Sequence, residues 1–347
     1  RAVVAAKAAT AKPLLGCWMG DASVLDARRV LNEAAIANFR TPEAAVGAFG
    51  NIAAFYANQQ LLLQTPPPMS SLAQPDVEAA RLLIESVLAE RRRTMTEMES
   101  KALLAAFHIP VTQTVLARSA NEAMMLATQI GFPVALKIDS PDIAHKSDVQ
   151  GVALNIQSGA AARDTFNEMV ARVKRLQPQA RINGVTVQKM ARARRGQEVC
   201  VGLVTDEAFG PTIVFGAGGT MIELIADRAM ELPPLNQFLA RRLIERSRVS
   251  AMLGAWRGTP AADIEAIEQI LLRVSEMVCE LPQLREMDIN PIIVDAHGAI
   301  AVDARVVIEH APPASHPNGH YQHLAILPYP SAYEREWPMK GGDLYTI

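Results

Sequence analysis

The sequence predicts an α/β protein with more than one domain, and three observations support this. The chain has 347 residues, of which 50% are hydrophobic and 20% are charged, as expected of a folded protein too long for one small core. Segments rich in β-branched residues alternate with segments of helical spacing from about residue 12 to residue 307. Consecutive prolines interrupt this alternation, and we expect a stiff linker between domains at 65–76.

Composition argues against several classes of partner. The formal net charge is −2, and the arginine clusters at 91–93 and 192–195 are too short for a nucleic-acid groove. The three cysteines, Cys17, Cys200 and Cys279, are far apart and form no zinc-binding spacing, which suits a reducing compartment. No apolar run has the length of a membrane span. We therefore expect a cytoplasmic protein that binds neither nucleic acid nor membrane, with oligomer formation left open.

Residues 12–64 are predicted to form the end of an α/β domain. A short apolar strand at 13–19 precedes a helix at 22–35, a second strand at 36–40 and a helix that begins at Pro42. Two strands cannot bury a doubly wound sheet by themselves. We therefore expect that further strands of this domain precede the given sequence.

The larger predicted domain, residues 77–308, begins with two helices and continues with strands and helices in alternation. The predicted helices lie at 77–91, 96–107, 119–130, 160–177, 235–247 and 260–280. The predicted strands lie at 111–117, 134–138, 152–156, 185–190, 198–205, 212–216, 289–294 and 300–307. The last two strands flank Asp295-Ala-His-Gly298, which is typical of a hairpin turn.

A lysine interrupts the apolar strand predicted at 134–138, in Val-Ala-Leu-Lys137-Ile. An unpaired ammonium group buried in such a strand would be strongly unfavourable. Lys137 is therefore expected to face an anion, and the phosphates of a nucleotide are one candidate. A lysine at a strand end that reaches back to solvent is the alternative.

The loop after this strand contains His145-Lys146-Ser147-Asp148. Histidine is well suited to accept and pass on a phosphoryl group near neutral pH. Lys146 could neutralise phosphate charge, and Asp148 could orient the imidazole or help to hold a metal ion. The alternative is an ordinary polar surface turn.

Three glycines follow a later strand, in Val214-Phe-Gly216-Ala-Gly218-Gly219. A glycine-rich turn lets backbone N–H groups approach an anion closely. The segment is therefore a candidate phosphate-binding loop, although a glycine-rich turn without a ligand is the alternative.

Acidic and amide side chains lie on the last predicted strands. Asp288 and Asn290 are two residues apart and so share one strand face, and the hairpin turn would bring Asp303 beside them. Such oxygen ligands suit a Mg²⁺ ion that also holds phosphate oxygens and water. Glu198 is a fourth candidate, and a solvated polar sheet face is the alternative. In one domain, these four features are what phosphoryl transfer from ATP requires.

The order of the motifs resembles the NDP-forming (ADP-forming) acyl-CoA synthetases, and in particular their ATP-grasp domain. The resemblance covers about residues 80–308 and rests on Phe-Pro-Val-Ala-Leu-Lys-Ile, His-Lys-Ser-Asp-Val, Phe-Gly-Pro with Phe-Gly-Ala-Gly-Gly, and Asp-Ile-Asn-Pro. Residues 12–64 are similar to the end of the flavodoxin-like (succinyl-CoA-synthetase-like) CoA-ligase domain that precedes it there. The resemblance implies two α+β subdomains with ATP or ADP and Mg²⁺ between them. It also implies that coenzyme A or acyl-CoA binds the complete protein.

The resemblance also implies roles for matching positions. The implied nucleotide-binding residues are Lys137, Lys146, Gly216, Gly218 and Gly219. The implied metal region is Asp288, Asn290, Asp303 and, less closely matched, Glu198. His145 matches the histidine that takes a phosphoryl group in transit between acyl-phosphate chemistry and ADP. The chain departs from the family at Gln150, where glycine is usual, and we expect this to stiffen or crowd the histidine loop.

The tail at 309–347 is turn-rich at first, and its segments at 324–330, 333–336 and 340–347 resemble a linker in fused proteins. In those proteins a GNAT-type acetyltransferase domain follows, as in bacterial protein lysine acetyltransferases. The expectation is that such a domain, which would act on protein lysines, follows residue 347.

Two functions compete at this stage. The first is a regulatory module that binds ATP or acyl-CoA and tunes a lysine acetyltransferase. The second is the working half of an ADP-forming acyl-CoA ligase that uses a phosphohistidine. A protein that only binds other proteins is a third possibility, which would predict no nucleotide binding. For this chain alone we expect binding of ATP or ADP with Mg²⁺ and no complete catalytic cycle. That expectation requires Lys137 and Asp288 to face one common cavity.

Overall fold

A computed structural model describes most of the chain and divides it into two compact units. The described residues are 2–10, 12–20, 22–62, 73–143, 146–190, 196–219, 227–255, 260–311, 322–324, 336–338 and 344–346. The smaller unit comprises Arg1–Thr65 and Glu336–Ile347, and the larger unit comprises Pro66–Arg335.

The smaller unit contains a parallel pair of strands and three helices. Its elements are α1 (Ala2–Ala8), β1 (Leu15–Cys17), α2 (Leu25–Glu33), β2 (Ala37–Phe39) and α3 (Pro42–Leu62), with a 3₁₀ turn at Ala22–Val24. β1 and β2 pair in parallel, with Gly16 opposite Asn38, as a strand–helix–strand crossover requires. Two short strands at Glu336–Pro338 and Leu344–Thr346 pair antiparallel, within the tail for which the sequence predicts a linker.

The hydrophobic core of the smaller unit is small. Among its described residues, only Leu31 and Ile36 are buried hydrophobic side chains. On α3, by contrast, Phe49, Phe55 and Tyr56 are each more than half exposed. This agrees with the argument that two strands do not bury such a sheet by themselves.

The larger unit begins with two helices, α4 (Val77–Ala89) and α5 (Glu97–Ala106). A capping box starts α5, because the Glu99 backbone N–H donates to Thr96 Oγ1 at 3.3 Å and the Thr96 N–H donates to the Glu99 carboxylate at 2.7 Å. The box places the side chain of Glu97, the first residue of α5, at the start of the helix. That residue becomes central to the site described below.

A first subdomain follows, built on a four-stranded antiparallel sheet. Its elements are β3 (Thr114–Ala117), α6 (Ala120–Ile130), β4 (Val134–Asp139), β5 (Val152–Ile156), α7 (Gly159–Leu176) and β6 (Gly184–Lys189). The strand order is β3-β6-β4-β5. Val134, Leu136 and Ile138 of β4 join the core under the two helices, so the alternation of the strand directs Lys137 to the opposite face.

The second subdomain is a six-stranded sheet covered by helices. Its elements are β7 (Gln197–Asp206), β8 (Gly210–Ala217), β9 (Ala229–Glu231), α8 (Gln237–Arg246), α9 (Ser250–Leu253), α10 (Ile264–Glu280), β10 (Leu284–Asp295), β11 (Gly298–Ala301) and β12 (Ala304–Ile308). The strand order is β11-β10-β7-β8-β9, with β12 also paired to β10. The core of this subdomain also contains side chains of α4 and α5, so those helices belong to it.

The predicted α/β class is confirmed, and most predicted elements lie within a few residues of their observed bounds. Two differences concern the end of the larger unit. β10 begins at Leu284 rather than at residue 289, and the strand predicted at 300–307 is divided into β11 and β12 by residues 302 and 303. Among the described residues, no helix has both the length and the apolar character needed to cross a membrane.

Candidate active site

A cavity of about 330 Å³ lies between the two subdomains of the larger unit. Three segments line it: the start of α5 at 94–97, the loop after β4 at 139–148, and the polar residues Asp288, Asn290 and 303–305 of the second sheet. The cavity therefore collects side chains from distant parts of the sequence, including the predicted site residues Lys146, Asp288, Asn290 and Asp303.

Glu97 is the charged centre of this cavity. One of its carboxylate oxygens, Oε1, accepts hydrogen bonds from Lys101 Nζ and Lys137 Nζ, each at 2.9 Å. The other oxygen, Oε2, accepts from Lys146 Nζ. Lys137 Nζ also donates to Asp303 Oδ2 at 2.9 Å. Three ammonium groups and two carboxylates therefore form one ion-pair cluster at the cavity wall.

The pKa values in the cluster follow from burial opposed by these pairs. Burial alone would raise the pKa of the Glu97 carboxyl, but Lys137, Lys146 and Lys101 together hold it well below its ordinary value. Burial would lower the pKa of Lys137, but Glu97 and Asp303 raise it above the ordinary value. For Lys101, burial prevails over Glu97 and the pKa is lowered. Glu97 is therefore an ionised carboxylate at neutral pH despite its burial.

Lys137 is buried and faces anions, as expected of a lysine in an apolar strand. Its side chain is 7% exposed, so it is not a lysine that reaches back to solvent. It donates to Glu97 and Asp303, two of the residues that line the cavity together with Asp288. Asp288 therefore lines the cavity directly, whereas Lys137 lies behind the cavity wall and is paired with two of its lining residues.

The loop that contains His145 is attached to the first subdomain at both ends. Asp142 accepts three hydrogen bonds from Arg181, one from its backbone N–H and two from its guanidinium. At the other end, the Gly151 N–H donates to the Lys146 carbonyl, and the Gly151 carbonyl accepts from Ile138, both at 2.7 Å. His145 itself lies outside the described residues.

Gln150 occupies a backbone conformation that favours glycine, with φ at +50°. A glycine at this position, which the resemblance leads us to expect, would adopt this conformation without strain. Gly151 has a different constraint, because a Cβ atom there would lie 2.5 Å from Ile138 Cγ2. Glutamine is therefore accommodated at 150 with backbone strain, whereas any side chain at 151 would clash with β4.

Asp288, Asn290 and Asp303 come together as predicted, but for a partly different reason. Asp288 is paired in register with Arg305 on β12, and the Asn290 N–H donates to the Asp303 carbonyl at 3.3 Å. The register of β10 shifts between residues 289 and 292. Simple alternation along a regular strand therefore does not describe this segment, although all three side chains line the cavity.

These three side chains suit a hard divalent cation such as Mg²⁺. The Asp288 side chain has no hydrogen-bond or ion-pair partner among the described residues. Although it is exposed to the cavity, desolvation by the surrounding atoms raises its pKa, and Asp303 adds to this effect while Arg305 opposes it. Among those residues no three His, Cys, Asp or Glu side chains converge on one metal position. The set here is two carboxylates and an amide, which suffices for a Mg²⁺ ion that keeps water and phosphate ligands.

Glu198 and the three glycines are outside this cavity lining. Glu198 is opposite Ile293 in the second sheet. The Gly219 N–H donates to Asn290 Oδ1 at 2.8 Å, so the end of the glycine segment still supports the metal region. A Cβ atom at Gly216 would lie 1.9 Å from the Asp227 carbonyl oxygen, and one at Gly218 would lie 2.4 Å from that of Val199. Close backbone packing is thus sufficient reason for these two glycines, and their contact with phosphate stays a prediction.

The sequence analysis missed Glu97, Lys101 and Asp139. Two acidic residues in the first turn of a capped helix are an ordinary complement to the helix dipole, which concealed the role of Glu97. The signal that was available is the spacing of Glu97 and Lys101, four residues apart on the face of α5 that also carries apolar residues. Asp139 lines the cavity, and burial raises its pKa.

A second cavity, of about 710 Å³, lies where the two subdomains join. It is lined by Phe132, Lys189 and Met190 from the first subdomain and by Ile293 and 297–300 from the second. Its lining combines apolar side chains with Lys189 at the end of β6 and with Asp295 and His297, so it suits a flat, partly polar group.

Comparison with known proteins agrees with this geometry. The model of the ATP-grasp domain family matches residues 86–308. The beta subunit of acetate–CoA ligase [ADP-forming] I from Pyrococcus furiosus is 38% identical over 232 residues, which cover 67% of this chain and 99% of that subunit. The chain belongs to the ATP-grasp family of ADP-forming acetyl-CoA synthetase beta subunits.

Other members of this ATP-grasp family differ in length. Acetate–CoA ligase [ADP-forming] I from Archaeoglobus fulgidus is 35% identical over 304 residues, which cover 88% of this chain but only 43% of that protein. This chain therefore spans less than half of that longer relative. Since 304 matched residues exceed the span 86–308, the similarity continues beyond the ATP-grasp region.

A solved structure of a family member shows which ligands it holds. It is the dinucleotide-forming acetyl-coenzyme A synthetase 1 of Candidatus Korarchaeum cryptofilum, in complex with coenzyme A and Mg-AMPPCP, with a phosphohistidine segment pointing towards the nucleotide binding site. The likeness has a TM-score of 0.58 at 34% identity and covers 66% of this chain and 100% of that one. The relatives are ligases, so they favour the alternative of a ligase half over a regulatory acetyltransferase module.

Proposed function

We propose that this chain is the nucleotide-binding half of an ADP-forming acyl-CoA ligase, in which His145 exchanges a phosphoryl group with ADP. The observation that carries the proposal is the cavity lined by Lys146, Asp288 and Asp303, with Lys137 paired to Asp303 at its wall. ATP-grasp membership supports it independently. On this proposal, lysines that bind phosphate, a cation site and a phosphoryl acceptor lie next to one another, as phosphoryl transfer requires.

In the proposed site, Lys137 changes partners when the nucleotide binds, whereas Lys146 keeps its contact with Glu97. Lys137 and Lys146 are both paired with carboxylates here, so their charge is already balanced. Lys137 would exchange Asp303 for a phosphate oxygen of ATP or ADP, and Lys146 would donate a further N–H group to phosphate, because an ammonium group has three donors. The same change would free Asp303 from Lys137, which leaves its oxygens available to a cation.

Asp288, Asn290 and Asp303 would hold Mg²⁺, and the ion would neutralise phosphate charge at this end of the cavity. Desolvation raises the pKa of Asp288 although Arg305 lowers it, and a bound cation would favour its charged form. We assign the adenine to the second cavity, where Lys189 ends β6 and Met190 follows it. Glu198 and the loop of Gly216, Gly218 and Gly219 are proposed to border the nucleotide from the second sheet.

The proposed chemistry at His145 is a reversible displacement at phosphorus. An imidazole nitrogen attacks the γ-phosphorus of ATP, the bond to the bridging oxygen breaks, and ADP leaves with that electron pair. In the direction of ATP synthesis the phosphohistidine P–N bond breaks instead, and a terminal oxygen of ADP takes the phosphoryl group. The complete reaction, acyl-CoA with ADP and phosphate giving acid, CoA and ATP, requires a CoA-binding part besides the ATP-grasp domain.

The complete protein, rather than the ATP-grasp domain, would bind CoA and select the acyl group. Its oligomeric state is also a property of the complete protein. Relatives that resemble this chain are named for acetate and for 4-hydroxybutyrate, so a small carboxylic acid is proposed as the substrate class. A following GNAT domain with protein lysine substrates rests on the resemblance of the tail alone.

The proposal is tested by binding and by labelling of the chain itself. Calorimetry with MgATP and MgADP should show binding to the wild type, and Lys137→Ala should weaken it by at least about tenfold because a charged hydrogen bond to phosphate is lost. The matched control is Lys174→Ala, which removes an exposed lysine from α7 and should leave binding unchanged. Incubation with [γ-³²P]ATP should label the wild type with an acid-labile phosphate, and His145→Gln should remove the label. Absence of nucleotide binding to the wild type would refute the proposal.

A further inference from the structure

Glu97 connects three separate segments of the larger unit. It is the first residue of α5, and its side chain is 1% exposed. Lys101 is on the next turn of the same helix, Lys137 is on β4, and Lys146 is on the loop that follows β4. Glu97 therefore joins a fixed helix, a fixed strand and the loop that contains His145.

The connection to the loop is made directly beside the histidine. Lys146 follows His145 in the chain, and its ammonium group donates to Glu97 Oε2. Among the described residues from 143 to 150, this is the one ion pair that joins the loop to another element. The remaining attachments hold the loop to the first subdomain: the hydrogen bonds of Asp142 and Gly151 at its ends, the burial of Ile143 and Val149 in the core, and a hydrogen bond from Arg172 to the Gln150 carbonyl at 3.5 Å. The pair with Glu97 is therefore the contact that joins the loop to α5.

Burial makes this contact strong. The Glu97 side chain is 1% exposed and that of Lys146 is 17% exposed, so water and salt screen the pair little. The first oxygen of Glu97 is occupied by Lys101 and Lys137, which keeps the second oxygen aimed at the loop. Lys101 is in turn held by Thr112, Thr114 and Gln188 at 2.8–3.1 Å. The carboxylate is thus fixed in position before the loop meets it.

We propose that Glu97 is a positioning residue that holds the histidine loop against the nucleotide cavity through Lys146. The inference deepens the proposed function, since the loop matters for phosphoryl transfer only if His145 is the acceptor. Glu97 also competes with the nucleotide for two lysines, Lys137 and Lys146. Its removal should therefore slow transfer to His145 without weakening nucleotide binding, because the freed lysines remain available to phosphate.

The first experiment measures loop position without reference to catalysis. Hydrogen–deuterium exchange of the segment 140–151 should become at least about tenfold faster in Glu97→Gln, if a pair worth more than about 1.4 kcal/mol is lost. The control is Glu99→Gln, which removes the same charge two residues later, keeps a capping glutamine and does not touch the loop. Exchange in α10 should remain unchanged in both. An unchanged 140–151 segment in folded Glu97→Gln overturns the inference.

A second variant acts from the loop side, in case Glu97→Gln does not fold. Lys146→Met removes the contact but leaves Glu97 paired with Lys101 and Lys137, and it should accelerate exchange of 140–151 by a similar factor. Lys146→Arg keeps a cation and should restore slow exchange. The double variant Glu97→Gln/Lys146→Met should exchange no faster than the single variants. Full additivity of the two effects would show that the residues act separately and would overturn the inference.

The third experiment separates positioning from a general structural role. In Glu97→Gln the rate of ³²P transfer from MgATP should fall at least tenfold, while the Kd for MgADP stays the same or decreases. A structural defect would weaken binding as well, and that result counts against the inference. If the wild type neither binds nor is labelled, the proposed function fails, whereas loop exchange still decides the role of Glu97.

Discussion

The two sides of the nucleotide cavity handle charge in opposite ways. Where α5 meets β4, Glu97, Lys101 and Lys137 are almost completely buried, and each has charged partners. At the second sheet, Asp288 is exposed to the cavity and has no ion-pair partner among the described residues. A buried ion is stable only when it is paired and hydrogen-bonded. A carboxylate that water can reach needs no partner in the protein and remains available to bind a cation. The first side is thus built for fixed geometry and the second for exchange of ligands.

The largest expected effect comes from removing one buried cation, which tests whether the buried ion pairs fix the structure of the first side. Lys101→Met should lower the free energy of unfolding of the larger unit by about 3 kcal/mol, because it leaves Glu97 undercompensated and removes the donor shared by Thr112, Thr114 and Gln188. Urea unfolding followed by circular dichroism measures this difference. Lys174→Met, on the exposed face of α7, is the matched control and should change stability little. A loss of less than about 1 kcal/mol would mean that the cluster behaves like a surface ion pair.

Acid should remove the contribution of Glu97 in a defined direction. Its pKa in the folded protein is lower than the ordinary value of 4.5, so its stabilising contribution is complete above that value and is lost as the pH falls below it. The stability difference between the wild type and Glu97→Gln should therefore be constant near neutral pH and shrink in acid. Paired urea titrations at about pH 7 and about pH 3.5 test this. A difference that grows in acid would contradict the ion-pair assignment.

Removing the charge of Asp288, on the side of the second sheet, should change stability in the opposite direction from removing the charge of Glu97. Asp288→Asn should raise the stability of the ligand-free protein at neutral pH, because the folded pKa of Asp288 is raised and its charged form is therefore disfavoured by folding. That gain should vanish as the pH falls below the ordinary value of 3.8. The same change should weaken MgADP binding at least about tenfold, since a cation ligand is lost. Thermal melts with and without MgADP measure both effects, with Asp164→Asn on α7 as the control. Destabilisation of the ligand-free protein would show that Asp288 has a structural partner.

The smallest expected effect concerns the backbone of the histidine loop. Gln150→Gly should stabilise the larger unit by no more than about 1 kcal/mol, because relief of left-handed strain is partly offset by the freedom of glycine in the unfolded chain. Gly151→Ala should be destabilising, because its Cβ would lie 2.5 Å from Ile138 Cγ2. Thermal unfolding of the two variants side by side measures the contrast. Equal changes in stability for the two variants would mean that the loop backbone adjusts freely. They would then count against close packing of Gly151 on β4 as the reason for the expected difference.

Local pattern was sufficient for most of the secondary structure and for part of the site. The apolar run with one lysine located β4, and the capping residues Ser119 and Glu122 located the start of α6. The pattern Asp-Ile-Asn-Pro located a polar segment of β10 that lines the cavity. These signals are readable because strand alternation and helix capping depend on residues close in the chain. The same locality explains why Lys137, Asp288 and Asn290 could be selected in advance.

Tertiary structure alone decided which charges meet. Glu97 is 40 residues from Lys137 and 49 from Lys146 in the chain, and Asp303 is 166 residues from Lys137. No periodicity relates such positions, so their pairing depends on how α5, β4 and β12 pack around one cavity. The sequence by itself determined an ATP-grasp pattern with a phosphate lysine and a polar strand. Folding determined that a buried glutamate, Glu97, lies between these segments. Only the packed structure removes water from that carboxylate, and a buried carboxylate is stable only when cations such as its three lysine partners compensate its charge.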